Sequence, residues 1–349
     1  MRKPSIYEIS EQALIDWLAE RGQPRYRARQ IQEWTFKHFV PSFDEMTTLP
    51  KPLRKELAQA FEIGPLPVLG RWEGRDSVKL LLRLQDGAGI ECVRMKTRWG
   101  ETACVSSQVG CAVRCVFCAS GAEGLERNLA ADEIIRQIVS LAADGGRITN
   151  VVFMGMGEPL HNYDAVLEAL DTITSPDRMG ISPRRVTVGT AGVVPAIRRL
   201  ARDAPKKVEL AVSLGAPTDK LRRALMPGVA QWTLKELLMA CDEWTETRNG
   251  QPVTYAYVLL HGINDSMAQA ERLAALLKNR RHHVNLIRLN PVGNSELRPS
   301  SKDRTIQFAR TLEALGINVS IRRSLGRDIE AACGQLRLQR LRSDRSASP

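Results

Sequence analysis

Beyond residue 100 the chain alternates between strand-like and helical segments, and this alternation constrains its fold more than any other feature. Amphipathic stretches such as AADEIIRQIVSLAAD, NYDAVLEALDTI, PAIRRLARD and MAQAERLAALLKN separate most of the apolar runs. Those runs read as strands: TACVSSQ, ITNVVFMG, RVTVGT, KVELAVSL, VTYAYVLL, HVNLIRLN and NVSIRRS. Alternating β and α units predict parallel strands with right-handed crossovers, and hence a doubly wound sheet or a barrel. About six units are present, fewer than a complete barrel needs, so we expect an α/β fold with a partial (βα)6 TIM-type barrel.

A small helical module precedes this region. Ser10 is placed to cap a first helix that ends near Gly22, Pro24 suits the first turn of a second, and a third is expected over 52–61. The second helix carries basic side chains on one side, namely Arg25, Arg27, Arg29 and Lys37. We interpret the module as an RNA-binding accessory domain that contacts phosphates; a solvated basic face is the alternative.

Between the module and the alternating region, GPLP at 64–67 reads as a linker. The β-like runs SVKLLLRL and IECVRMKT surround the turn-forming QDGAG and predict a hairpin. The expected domains are a helical domain over 1–63, a linker with β-hairpin extension over 64–100, a barrel over 101–336 and a basic flexible tail over 337–349.

Charge and hydropathy limit the binding partners and the cellular location that we expect for the chain. The 349 residues carry a formal net charge of +11, which favours a polyanion such as nucleic acid, although a solvated basic surface would give the same value. The sequence has no apolar run long enough to span a membrane, and no apolar core follows the two basic residues of the N-terminus. We therefore expect a cytoplasmic protein that does not bind membranes, with a monomer as the default.

Cysteines are concentrated in residues 104–118, CVSSQVGCAVRCVFC, which hold four of the seven. Without an export signal, metal ligation or catalysis is favoured over a disulfide scaffold. Cys111, Cys115 and Cys118 offer three thiolates from one loop, whereas a closed zinc site or an ordinary four-iron cluster uses four ligands. A vacant metal position would admit a substrate or cofactor. Zinc and iron–sulfur chemistry both remain open at this point.

Unusual segments follow the carboxyl ends of the predicted strands. They are the cysteines, GMGEP (155–159), GTAG (189–192), SLGAP (213–217), NPVGN (290–294) and GRDIEAACGQ (326–335). Barrels and open α/β sheets bind their ligands at that edge. We therefore expect these loops to converge on one site.

The CxxxCxxC spacing resembles that of the radical S-adenosylmethionine (SAM) superfamily. More narrowly, CVSSQVGC, VVFMGMGEPL, SPRRVTV, VNLIRLNP, DIEAACGQL and the N-terminal YRARQIQEW and FDEMTTLP resemble the RlmN/Cfr family of radical SAM 23S rRNA adenosine methyltransferases. The similarity spans roughly residues 20–336. It implies a [4Fe–4S] cluster on Cys111, Cys115 and Cys118, with SAM on the fourth iron and an electron donor such as flavodoxin.

The resemblance also assigns three catalytic positions. Cys333 matches the methyl-carrying cysteine, Cys104 the thiol that resolves the adduct, and Glu91 the proposed proton acceptor. By this analogy, Cys333 is methylated by one SAM, and a radical from a second removes hydrogen from that methyl group. The carbon adds to adenine, Glu91 removes the C2 proton, and Cys104 attacks the Cys333 sulfur, leaving a disulfide. For Glu91, a paired surface carboxylate is the alternative.

SAM contacts are implied at Gly157, Glu158, Gly189, Ser213, Leu214, Gly215 and Asn290. Two of them depart from the family pattern, since Gly189 stands where serine is usual and Gly215 where histidine is usual. Both departures remove a side-chain hydrogen bond to cofactor or ribose. Cys92 and Cys241 match no functional position and are expected to be core residues.

The expected function is methylation of an adenosine, at C2 in 23S rRNA, with tRNA as a further candidate. The alternative within the family is C8 methylation of the same rRNA nucleotide. Two other classes stay open: a radical enzyme on another substrate, and a non-enzymatic RNA-binding protein with a structural metal.

Overall fold

The N-terminal module is helical, as predicted. The computed structural model describes residues 3–98, 100–291, 296–322, 326–329, 331 and 334–336, so Cys333 and the tail at 337–349 lie outside it. The module consists of α1 (Glu11–Ala19), α2 (Tyr26–Phe36) and α3 (Lys51–Ala60). Ser10 caps α1, because its Oγ accepts a hydrogen bond from the Ala13 amide at 3.1 Å.

The GPLP stretch lies against the barrel. The buried Arg136 donates from Nε to the Gly64 carbonyl at 3.1 Å and from Nη2 to the Pro65 carbonyl at 3.4 Å. The Leu66 amide donates to Ser140 Oγ at 3.0 Å. Backbone groups of the connector are thus satisfied by side chains of one barrel helix, which joins the helical module firmly to the barrel.

Three antiparallel strands form the extension: β1 (Val68–Glu73), β2 (Ser77–Arg83) and β3 (Gly89–Thr97). The hairpin of β2 and β3 is as predicted, with a turn in which Gly87 has a φ of +87°. Strand β1 was not predicted. It is an edge strand whose side chains are mostly exposed, so its sequence lacks the apolar alternation by which strands are recognised.

The parallel region confirms the α/β prediction. Its elements, in chain order, are β4 (Gly100–Cys104), β5 (Gln108–Gly110), β6 (Leu125–Asn128), α4 (Ala131–Gly145), β7 (Asn150–Phe153), α5 (Tyr163–Thr174), β8 (Val186–Thr190), α6 (Val194–Asp203), β9 (Glu209–Ser213), α7 (Asp219–Leu225), α8 (Leu234–Thr247), β10 (Val253–Leu259), α9 (Met267–Leu277), β11 (His282–Arg288), α10 (Lys302–Ala314) and β12 (Val319–Ile321).

In the described part of the chain, ten strands form one sheet, in the order β1-β2-β3-β4-β7-β8-β9-β10-β11-β12. Strands β4 and β7–β12 pair in parallel through helical crossovers, giving an open (βα)6 arrangement, whereas β1–β4 pair antiparallel. The extension therefore continues the barrel sheet. None of the described helices combines the length and apolar character needed to cross a membrane.

Two apolar clusters lie on opposite faces of the extension. Leu80, Ile90 and Cys92 belong to the main core. Val93 and Cys104 instead pack in a separate, smaller cluster on the other face. Cys92 and Cys241 are fully buried in the main core, which confirms their expected role.

Candidate active site

The cysteine loop, residues 111–118, is enclosed by the two-stranded ribbon of β5 and β6. The Cys111 amide donates to the Gly124 carbonyl at 2.9 Å, and the Cys118 amide donates to the Cys115 carbonyl at 3.0 Å. On its outer side the loop is hydrogen-bonded to the last residue of α7 and to the segment that follows it. Val116 donates to the Leu225 carbonyl at 3.0 Å, and Gly228 donates to the Val113 carbonyl at 2.9 Å. The loop is therefore fixed by backbone contacts on two sides.

The thiols of this loop are held in a way that disfavours their ionisation. Burial raises the pKa of Cys111 to about 12 and also raises the pKa of Cys115, and in both cases the neighbouring thiols add to the shift. Among the described residues, no three His, Cys, Asp or Glu side chains converge on a single metal ion. Three thiols on one short loop still fit a cluster, because iron would stabilise the thiolates that burial and mutual repulsion oppose.

The loop faces a cavity at the carboxyl edge of the parallel strands. This cavity brings together most of the residues predicted from the sequence: Cys111, Cys115, Cys118, Gly157, Glu158, Gly189, Ser213 and Asn290. Leu214 and Gly215 are not among the described residues that line it. Leu214 is fully buried, and the Gly215 carbonyl accepts a hydrogen bond from Asn264 Nδ2 at 3.0 Å.

Glu158 acts as a bracket between two loops of the cavity wall. Its Oε1 accepts from the Leu160 amide at 3.0 Å and from Thr190 Oγ1 at 2.7 Å, and its Oε2 accepts from the Ala191 amide at 2.6 Å. Burial raises the pKa of this carboxyl, while the hydrogen bonds and the charge of Arg222 oppose the rise. The Glu158 side chain therefore serves to hold the loop after β8 in place.

The two glycine departures coincide with methionines. A Cβ on Gly189 would lie 2.9 Å from Met154 Cγ and 3.0 Å from the Phe153 carbonyl oxygen. A Cβ on Gly215, where φ is +76°, would lie 2.5 Å from Met226 Sδ. The space that a larger side chain would occupy at each position is thus already taken by a thioether side chain.

Arg222 and Thr190 are site residues that the sequence reasoning missed. Arg222 is 2% exposed and donates from Nη2 to the Ala191 carbonyl at 2.6 Å, while Ala191 donates to Glu158. In DKLRR, Arg222 looks like one charge of a solvated helix face. Only the packing of α7 against the cysteine loop shows that it is buried.

Glu91 and Cys104 lie beside the cavity rather than in its wall. Glu91 is buried on β3 and forms an ion pair with Lys79 of β2, with 3.2 Å between Nζ and Oε1. The alternative of a surface carboxylate is therefore wrong, although the pairing itself is present. Ser106 Oγ links this strand to the GMGEP loop, since it donates to the Glu91 carbonyl at 2.6 Å and accepts from the Met156 amide at 2.8 Å.

The C-terminal segment, meaning the described residues within 326–336, joins the two places. Gly334 lines the cavity, and its carbonyl accepts from the Ala119 amide at 2.7 Å, directly after the cysteine loop. Ala331 and Leu336 belong to the same apolar cluster as Cys104. Cys333 itself lies outside the described residues, but Gly334 contacts the segment after the cysteine loop and Ala331 shares the cluster of Cys104.

A three-cysteine loop at the carboxyl edge of an open (βα)6 sheet defines the class: this is a radical SAM enzyme. The Radical SAM superfamily model matches residues 105–274, and the model of the ribosomal RNA large subunit methyltransferase N-terminal domain matches residues 5–63. The superfamily implies a [4Fe–4S] cluster and SAM as cofactors, in agreement with the chemistry of the three thiols.

Individual relatives narrow the class further. The probable dual-specificity RNA methyltransferase RlmN of Symbiobacterium thermophilum is 44% identical over 335 residues, covering 94% of this chain and 90% of that protein. That of Moorella thermoacetica is 44% identical over 337 residues, with coverages of 93% and 95%. The crystal structure of a radical SAM methyltransferase from Sphaerobacter thermophilus has a TM-score of 0.91 and 44% identity, covering 96% of this chain and 99% of that one. The chain belongs to the RlmN family and is a SAM-dependent RNA methyltransferase, which confirms the resemblance seen in its sequence.

Proposed function

We propose that this enzyme methylates C2 of an adenosine in 23S rRNA, and also in tRNA, through a methyl group carried on Cys333. Its relatives are named dual-specificity RNA methyltransferases, and its N-terminal module matches a domain of large-subunit rRNA methyltransferases. We also propose that the enzyme works in the cytoplasm, where such substrates are found. An electron donor such as flavodoxin would supply the reducing equivalents.

The observation that carries this proposal is the position of the C-terminal segment. Gly334 contacts the cysteine loop on one side, where a Cβ would lie 3.2 Å from the Phe117 carbonyl oxygen. Ala331 and Leu336 belong to the same small apolar cluster as Cys104. A methyl carrier at residue 333 would therefore lie within the span between the radical source and the resolving thiol, which is what a shuttle requires.

Each chain residue then has a defined task. Cys111, Cys115 and Cys118 would hold the cluster, whose bound SAM supplies a 5′-deoxyadenosyl radical. Cys333 would carry the methyl carbon to the base, and Glu91 would accept the proton that C2 loses. Cys104 would attack the Cys333 sulfur, forming the S–S bond as the C–S bond to the product breaks. The electron pair of the C–S bond would stay on the released carbon, which takes up a proton to become the product methyl group.

The cofactor contacts are proposed to come mainly from backbone. Gly157, with a φ of +101°, lets the chain approach the cavity closely, and a Cβ there would lie 2.6 Å from Gln108 Cβ. Ser213 and Asn290 line the same cavity from β9 and from the loop after β11. Gly189 would contribute through its main chain, whereas Leu214 and Gly215 would support the cavity from behind.

The RNA is proposed to contact α2. Arg25, Arg29 and Lys37 are exposed there, next to the exposed ring of Tyr26, and such cations and rings suit phosphates and bases. Arg27 has a different role, because its Nη1 donates to the Thr48 carbonyl at 2.9 Å and so stabilises the module.

Mass spectrometry of nucleosides from a deletion strain tests the proposal. Loss of 2-methyladenosine, restored by the wild-type gene but not by Cys333→Ala, is expected. Loss of 8-methyladenosine instead would assign the C8 reaction, and unchanged adenosine modification would refute both. Intact-mass analysis of the purified enzyme should show a methyl group on Cys333, and Cys241→Ala is the matched control that keeps it.

A further inference from the structure

Lys79 and Glu91 form a buried ion pair whose position is unusual for a structural one. Their side chains are 8% and 6% exposed, and Nζ lies 3.2 Å from Oε1. Burial alone favours the protonated form of a carboxyl group, and a cation in contact favours the ionised form. Buried ion pairs contribute little to stability relative to apolar residues of similar size. Fold stability is therefore a weak reason for placing this pair here.

The strand register puts Lys79 in line with the resolving thiol. Trp72 is paired with Lys79, Lys79 with Val93, and Val93 with Cys104. Directly paired residues share a face, so these four form one cross-strand row. Glu91 lies two residues before Val93 on β3 and therefore points to the same face.

That face is the one covered by the C-terminal segment. Val93 and Cys104 pack with Ala331 and Leu336, which flank residue 333 on either side. The opposite face of the same strands belongs to the main core. The ion pair therefore lies on the face covered by the C-terminal segment and not on the face that packs into the main core.

Trp72 fixes the position of the ammonium group. Lys79 Nζ lies over the Trp72 ring, 4.9 Å from its centroid. A cation held on one side by an aromatic face and on the other by a carboxylate has little freedom to turn away. This arrangement keeps the charge of Lys79 next to Glu91.

We propose that Lys79 is a positioning residue for Glu91, holding the buried carboxylate ionised and oriented so that it accepts the proton released by the adenine. The proposal rests on the proposed function of Glu91. In that step the C2–H bond breaks, an O–H bond forms on Glu91, and the electron pair of the C–H bond remains in the purine ring. A carboxyl group that already held a proton could not take this one.

Among the described residues, titratable groups near this ion pair come from β3, β4, the β1–β2 turn and the C-terminal segment. Cys104 of β4 shares the face of the row, and Cys92 of β3 points to the opposite face. From the C-terminal segment, Asp328 accepts from the Arg75 amide at 2.9 Å, at the β1–β2 turn. Asp76 lies at the same turn and accepts from the Gly326 amide at 3.4 Å. Lys79 of β2 is in direct contact with Glu91.

Single-turnover RNA methylation measured against pH tests the proposal, with Lys79→Met, Lys79→Arg and Glu91→Gln compared with wild type. In Lys79→Met, Cys333 should still acquire its methyl group, while RNA methylation at neutral pH falls about 100-fold. Without the ammonium the carboxyl group holds its proton up to a higher pH, so the acid limb of the profile moves to higher pH and the rate partly recovers there. Lys79→Arg keeps the cation and should keep the acid limb close to its wild-type position.

These outcomes distinguish the proposed role of Lys79 from the proposed role of Glu91, on which it rests. An unmoved acid limb in Lys79→Met, together with an inactive Glu91→Gln, would refute the role of Lys79 and leave that of Glu91. A fully active Glu91→Gln would refute both. The double variant Lys79→Met/Glu91→Gln carries no buried charge, and so remains informative if Lys79→Met folds poorly. Its activity should equal that of Glu91→Gln, and a further loss would contradict the proposal.

Discussion

The C-terminal segment lies between two surfaces that prepare their reactive groups differently. In the cysteine loop, burial and the neighbouring thiols raise the pKa values of Cys111 and Cys115, so these two thiols are poor anions on their own. The extension presents Glu91 with Lys79 already 3.2 Å away. The first surface depends on a group from outside the chain to make it reactive. The second carries its own counter-charge.

This difference separates what the cofactor must supply from what the fold supplies. Under the proposed ligand assignment, iron would bring the positive charge that three neighbouring thiolates need, and its removal should leave the Cys111 and Cys115 thiols neutral. The sheet register brings Lys79 to Glu91 whether or not a cofactor is bound. Each surface can therefore be disturbed separately, and the size of the effect should report which kind of support was lost.

Removing one thiol of the cysteine loop should have the largest effect. Cys115→Ala is expected to abolish SAM cleavage, by at least about 1,000-fold, because two thiolates and an alanine do not hold the cluster. Iron and sulfide analysis after anaerobic purification measures the cause directly. Cys241→Ala, a core cysteine, is the control and should retain iron. A Cys115→Ala protein with full iron content would contradict the ligand assignment.

Alkylation of the cluster-free enzyme tests the neutral state of the loop. With a pKa of about 12 in place of 9.0, Cys111 should react with iodoacetamide about 100 to 1,000 times more slowly at pH 8 than in the unfolded chain. Its rate should rise about tenfold per pH unit as the thiolate fraction grows. Peptide mass spectrometry follows the modification. Equal rates in folded and unfolded protein would show that burial does not protect this thiol.

The bracket formed by Glu158 can be weakened without removing a cofactor ligand. Thr190→Val deletes the hydrogen bond to Oε1 and should lower the free energy of unfolding by about 1.5–3 kcal/mol, since the lost bond is to a buried carboxylate. Chemical denaturation measures the change. Thr187→Val, three residues earlier on β8 and half-buried, should cost less than about 0.5 kcal/mol.

The same bracket predicts a pH dependence of stability. The pKa of Glu158 is raised above its ordinary value of 4.5, so the native state binds this proton more tightly than the unfolded chain. Its contribution to stability is therefore full below about that value and falls as pH rises through the raised native pKa. Glu158→Gln should remove this decline. Denaturation at a series of pH values, with identical slopes for both proteins, would rule it out.

The smallest effect is expected far from both surfaces. Arg29→Ala on α2 should weaken RNA binding about 3- to 10-fold and reduce the salt dependence by about one phosphate contact. Binding titrations at several salt concentrations give both numbers. Lys235→Ala, which removes an exposed cation from α8, is the control and should leave the salt dependence unchanged.

Local and periodic signals made much of the fold predictable. Ser10 as a helix cap, the hairpin around Gly87 and the seven parallel strands each depend on neighbouring residues or a repeated pattern, so the sequence displays them directly. Strand β1 could not be predicted, because most of its residues are exposed and its sequence lacks an apolar alternation. Its pairing with β2 places it in the sheet.

For the site, residue type and spacing predicted the three cysteines, and resemblance predicted Glu91 and Cys104. Lys79 and Arg222 were beyond both approaches. Each is a charge in a stretch that looks solvent-exposed, and each is buried by an element distant in the sequence. The neighbour of a charged side chain across a sheet or beneath a helix is set by tertiary packing, which periodicity alone does not contain.

The connector between the helical module and the barrel has a mechanical consequence. Arg136 holds the Gly64 and Pro65 carbonyls, and Ser140 holds the Leu66 amide, so the link is stiff where a loose tether would swing. If RNA binds α1–α3 as proposed, it would lie at a fixed distance from the thiols. The distance between the helical module and the thiols would then help to determine which nucleotide is methylated, in addition to the identity of its base.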